Sequence, residues 1–284
     1  MKLSQTRIAI VLAILVATTS GCGVINRIRA KNQLNEAARS YREGRFVEAE
    51  QHSREAAQLD PDNKTAPIFI ARTIHMQYRP GVQTPENVAK AQQAIEAYQQ
   101  ILQKNPQDED AYKAVAYLYG AIKEDGKLRD WITSRATSDA TEPTKRSEAY
   151  VVLASKDWDC SFKITELPTH KITTVDKASN KATVSYKKPA DPKDFETAKK
   201  CVAQGLAEAE NAIKFDPNNE SAWSYKTNLL LEASKLAEMD NQTEQKAQYQ
   251  KEYEAALKRT TELSVANQKR KEEEARQAAS PPKG

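Results

Sequence analysis

Apolar positions recur every three or four residues along most of this chain, in paired runs separated by turn residues. The first pair is Ala37 and Tyr41, then Phe46, Ala49, Ala56 and Leu59. Such spacing places the side chains on one face of a helix. Gly44-Arg45 supplies the turn, and Pro61 closes the unit because proline cannot continue a helix. A second pair begins at Lys64 with Ile68, Ile70, Ala71 and Ile74. Its turn is lengthened by Arg79 to Pro85, and Ala91, Ala94, Ile95, Tyr98, Ile101 and Leu102 lead to a stop at Asn105-Pro106. A third pair carries Tyr112, Val115, Ala116 and Tyr119, a turn at Gly126, then Leu128, Trp131, Ile132 and Ala136, with Pro143 ending the segment. A fourth opens with Tyr150, Leu153 and Ala154.

The period changes at residues 157–193. Phe162 and Ile164 alternate with Lys163 and Thr165, and the β-branched runs 172–175 and 182–186 flank a loop containing Ser179-Asn180. Alternation and β-branching predict a β-hairpin inserted between two helices. The helical period returns with Phe195, Ala198, Val202, Leu206, Ala209 and Ile213, up to Asp216-Pro217. A fifth pair has Trp223, Leu229 to Leu231 and Leu236, then Tyr249, Tyr253, Leu257 and Leu263.

These helix pairs resemble the tetratricopeptide repeat, a helix-turn-helix unit of about 34 residues. Ala71 follows Ala37 by 34 residues, which matches. The resemblance implies an all-α, helix-turn-helix solenoid with a small inserted β-hairpin. Its parts would be repeats 1–3 and the first helix of repeat 4 at residues 32–156, the hairpin at 157–193, and the second helix of repeat 4, repeat 5 and a capping helix at 194–268. A charged, partly disordered tail would fill 269–284.

The N-terminus has its own pattern. Lys2 and Arg7 precede an apolar run from Ile8 to Ala17, then Ser20, Gly21 and Cys22. The run is too short to span a bilayer and suits a signal-peptide core. The small residues before Cys22 resemble the lipobox of bacterial lipoproteins, although Thr19 stands where that family usually has Leu. The resemblance implies a signal peptide at 1–21, acylation at Cys22 and a lipidated linker at 22–31. Gly23, rather than Asp, implies the inner leaflet of the outer membrane, facing the periplasm. A plain secretory signal with a chance cysteine and a transmembrane anchor are the other readings.

Composition narrows the rest. Charged residues make up 29%, glycine is scarce at 8, and the net charge of +4 is too small to argue for nucleic acid. With Cys22 assigned to lipid, Cys160 and Cys201 form an even pair in an oxidising compartment. A disulfide is the expectation, against two free thiols or a metal site. No CxxC pair or neighbouring His supports metal. His52, His75 and His170 fall in separate elements, and the nucleotide, hydrolase and metalloprotease motifs are absent. No enzyme activity and no cofactor are expected. Asp157 and Asp159 beside Trp158 are read as solvated carboxylates.

In tetratricopeptide arrays the first helix of each repeat lines a concave groove for a peptide. Carried over, the groove positions are Lys31, Tyr41 and Arg42, then Arg72 and His75, then Lys113 and Tyr117. This basic and aromatic set suits a segment bearing carboxylates. The expected function is a lipid-anchored periplasmic scaffold with a protein or peptide partner from an envelope complex. By fold-level analogy it is similar to the pilotin lipoproteins of type IV pili or the helical-repeat lipoprotein of the β-barrel insertion machinery. The alternative is a protein binding glycan or peptidoglycan through the hairpin, which requires exposed aromatics such as Phe162 and Tyr186.

Overall fold

A computed structural model describes the backbone of residues 3–176 and 181–279, and the side chains of 23–175 and 182–278. The described residues form ten α-helices and one two-stranded antiparallel sheet. By contacts the chain divides into two compact units, Met1–Leu128 and Arg129–Gly284.

The first unit holds α1 (Leu3–Arg42), α2 (Phe46–Leu59), α3 (Thr65–His75), α4 (Pro85–Lys104) and α5 (Glu109–Ala121). Each packs on the next. Small residues make this possible: Ala37, Ala49, Ala56, Ala71, Ala91 and Ala94 are fully buried. Gly44 takes the left-handed conformation that the α1–α2 turn needs, at φ +76°. The Asn87 side chain pins the long α3–α4 loop to the start of α4. Asn87 accepts from the Arg79 amide at 2.8 Å and donates to the Arg79 and Val82 carbonyls at 2.9 and 2.7 Å.

The connections between pairs repeat in detail. Asp60-Pro61-Asp62-Asn63, Asn105-Pro106-Gln107-Asp108 and Asp216-Pro217-Asn218-Asn219 share one geometry. In each, the first residue's amide donates to the carbonyl four residues back. The fourth residue's amide returns to the first residue's carbonyl at 3.0–3.1 Å. The fourth side chain then caps the next helix, at Ala66, Ala111 or Ala222, over 2.9–3.2 Å.

α6 (Asp125–Thr137) spans the division between the units. The second unit continues with α7 (Pro143–Thr165), β1 (Lys171–Asp176), β2 (Lys181–Tyr186), α8 (Pro192–Phe215), α9 (Glu220–Met239) and α10 (Thr243–Ala279). α7 packs on α8 and α9, and α9 on α10. Both units are therefore helix-turn-helix arrays, and the hairpin sits between the helices of one pair. β1 and β2 pair in the register Lys171↔Tyr186 to Asp176↔Lys181. The hairpin turn expected at Ser179-Asn180 lies outside the described residues.

Several boundaries differ from the sequence reading. Residues 157–165 are helix, not the start of the hairpin. The buried face there is polar: Asp157, Ser161 and Thr165, four residues apart, all point inward and disguise the helical period. Residues 22–31, expected as a linker, are helical and part of α1. Gly126 lies inside α6, and Lys123 takes the left-handed turn position at φ +61°. Pro143 opens α7 as its first helical residue instead of ending a segment. Residues 269–279 continue α10, and 280–284 lie outside the described residues.

Candidate functional site

The side chains of α3 and α5 meet on one face of the first unit. His75 from α3 stands edge-on to Tyr98 of α4, centroids 5.8 Å apart, with Nδ1 3.3 Å from the Tyr98 hydroxyl. The Tyr117 ring of α5 lies 5.7 Å from His75, tilted to it and half exposed. One turn before His75, Arg72 reaches Asp110 of α5 at 3.3 Å, and both groups are largely in solvent. Burial pushes the His75 ring below its ordinary value and the Tyr98 hydroxyl up to about 12. His75 is accordingly a neutral ring at pH 7.

Of the seven groove residues, Arg72, His75 and Tyr117 are brought together. Lys113 is exposed one turn before Tyr117 on the same helix. Tyr41 packs edge-on against Phe46 at 5.4 Å, at the C-terminal end of α1 beside the exposed Arg42. Lys31 is exposed ten residues earlier, about 15 Å along the helix at 1.5 Å per residue. The face is less basic than the sequence suggested, since Asp110 sits against Arg72. Tyr98 and Asp110 complete it and were not singled out. Their signal was the same small set of helix positions, but only packing reveals which helices meet. The arrangement offers two aromatic rings for stacking. It also offers a guanidinium that can exchange an exposed carboxylate for one on a partner.

The second unit contributes a buried polar network. Glu232 of α9 accepts from Ser161 and Thr165 of α7 at 2.9 and 2.6 Å. Lys235 donates to Glu232 and Glu166 at 2.6 Å each, and Glu166 also binds Lys171 of β1. Burial pushes the Glu166 carboxyl up, but the hydrogen bonds from Lys171 and Lys235 outweigh it and hold it below the ordinary range. Tyr186 of β2 donates its hydroxyl to Glu166 at 3.3 Å, and its amide to Glu238 at 3.0 Å. The network ties the hairpin root to α7 and α9.

Asp157 is buried, not solvated. Arg129 grips it with two hydrogen bonds of 2.9 and 3.1 Å. Cys160 and Cys201 form a disulfide between α7 and α8. Phe162 belongs to α7, one turn after Trp158 and 4.8 Å from it, with Tyr225 of α9 on the other side of Trp158 at 6.1 Å. Tyr186 packs against the cluster of Phe195, Ala198, Val202, Ala233, Leu236 and Met239. Among the described residues the hairpin carries one aromatic, the half-buried Tyr186, while Phe162, 37% exposed, stands on α7. Among the described residues no three His, Cys, Asp or Glu side chains gather to hold a metal. Cys22 lies outside the described side chains, and no helix of the described residues is long and apolar enough to cross a membrane.

No family model matches the chain, and no curated protein matches it. Several solved structures are similar to it. One is MamA from Desulfovibrio magneticus RS-1, 12% identical, covering 84% of this chain and 96% of its own, at a TM-score of 0.40. Another is a tetratricopeptide repeat protein from Parabacteroides merdae, 13% identical, covering 84% and 99%, at a TM-score of 0.34. A third is the TPR2AB domain of yeast Sti1 in complex with pHSP90, 14% identical, covering 82% and 98%, at a TM-score of 0.29.

Proposed function

We propose that this chain is a protein-interaction scaffold, held in the bacterial envelope by acylation of Cys22, that takes a carboxylate-bearing segment of an envelope protein on the α3/α5 face. The observation that carries the reading is the convergence of Arg72, His75 and Tyr117 from two helices on one solvent-facing surface. A guanidinium beside the exposed Tyr117 ring and the half-buried His75 ring suits an extended segment ending in, or carrying, a carboxylate. The lipobox-like Ser20-Gly21-Cys22 after an apolar run supports anchoring.

Crosslinking and pull-down from membranes tests it, with the acylated chain against Cys22→Ala. The reading expects envelope proteins captured by the anchored form and lost with Cys22→Ala. Co-sedimentation with cell-wall sacculi, without protein capture, contradicts it.

A further inference from the structure

The N-terminal end of α1 carries a surface that the peptide face does not use. Val24, Ile25 and Ile28 are 59%, 51% and 58% exposed. At helical spacing the three share one side of α1, and Ala30 is turned away from them. Ala30 is fully buried with Ala56 and Ala66, against Leu34, Ala57 and Leu59. Arg27 and Arg29 flank Ile28, and Lys31 follows one turn after it. From Cys22 to Asn35 the chain contains Arg27, Arg29 and Lys31 but no acidic side chain, Glu36 being the first. An apolar strip among basic residues, on a helix segment with no acidic residue before Glu36, is the composition of a helix that rests on an anionic lipid surface. A protein partner would have to cover the same strip while answering Arg27, Arg29 and Lys31.

We infer that the Val24–Ile25–Ile28 face of α1 seats directly on an anionic membrane surface, with Arg27, Arg29 and Lys31 against the lipid phosphates. This rests on the membrane-anchored reading of the chain and adds its geometry. Because α1 is helical throughout residues 22–42, which remain after the signal peptide is removed, the contact is rigid. Ala30 enters the repeat core only two residues, about 3 Å, beyond Ile28. The first repeat therefore sits on the bilayer and not at the end of a loose tether.

The test uses the processed chain, residues 22–284, with Cys22→Ala and an environment-sensitive fluorophore on a single new cysteine, Ile28→Cys. The Cys160–Cys201 disulfide stays closed and does not react. Gln58→Cys, exposed on α2, serves as the control. Vesicles are phosphatidylglycerol with phosphatidylcholine, or phosphatidylcholine alone. The label at 28 should shift to an apolar environment on the anionic vesicles, and the label at 58 should not. Arg27→Gln with Arg29→Gln should lower the affinity for anionic vesicles about thirtyfold, at ~1 kcal/mol per basic residue. Flotation with a label at 28 that stays in water overturns this inference alone. So does a label at 28 already shielded without vesicles, which would mean that protein covers the strip. Failure of the acylated wild type to float overturns the anchoring reading beneath it.

Discussion

A β-carbon on Gly205 would stand 2.7 Å from Leu229 Cδ2 and 3.0 Å from Asp157 Cβ. Leu229 is fully buried and Asp157 is fixed by Arg129, so neither can give way freely. Gly205→Ala should destabilise by on the order of 1 kcal/mol, since overpacking outweighs the gain in helix propensity. A denaturant midpoint measures it. Glu232 is the more demanding case. Glu232→Ala leaves Lys235 buried with Glu166 as its remaining carboxylate. The loss should be about 3 kcal/mol, and Glu232→Leu with Lys235→Met should recover much of it, because a buried pair is costly mainly when half of it is removed. Neither residue was legible in the sequence. Glu232 and Lys235 look like ordinary polar helix positions, and their partners Ser161, Thr165 and Glu166 come from α7 and its C-terminal end. His75 gives a pH signature. Burial lowers its folded-state proton affinity, so between that value and the usual 6.5 the unfolded chain binds more protons. Stability should fall as pH drops through that window, and His75→Gln should shrink the fall in a melting series. Glu50 and Glu166, held below 4.5, add their own loss only at lower pH.

Element by element, the sequence showed most helices because their buried faces are apolar and their ends are punctuated. The pairs Asp60-Pro61, Asn105-Pro106 and Asp216-Pro217 mark helix ends that the structure reproduces. It failed where the punctuation misled. α7 buries Asp157, Ser161 and Thr165, so an inward face read as a polar strand, and Trp158 and Phe162, one turn apart, went unrecognised as a helical pair. Gly126 looked like a turn residue, yet the turn falls on Lys123, which a pattern search passes over. The disulfide pairing was legible because only two cysteines remained once Cys22 was set aside. It joins facing helices across a separation of 41 residues. Cys160→Ser with Cys201→Ser should cost about 4 kcal/mol in the chain-entropy model. Hydrogen exchange should show the loss in α7 and α8, with α1 to α4 unchanged.

For the molecule as a whole, repeated helix pairs follow from local rules, while the working surface depends on which helices become neighbours. The seven carried-over groove positions illustrate the difference. Three converge around Tyr98 and Asp110, whereas Lys31 lies ten residues, about 15 Å, before Tyr41 on α1. The lipid anchor and the partner are claims about the chain in its membrane, and the α3/α5 face is where they become testable together. The most direct measurement is crosslinking capture from membranes by the anchored chain, comparing wild type with Arg72→Glu combined with Tyr117→Ala. The Arg72–Asp110 pair is exposed and contributes at most about 1 kcal/mol, so the melting temperature should hold within a few degrees. The account predicts that capture is lost while melting is unchanged. Equal capture by wild type and the double variant would contradict it.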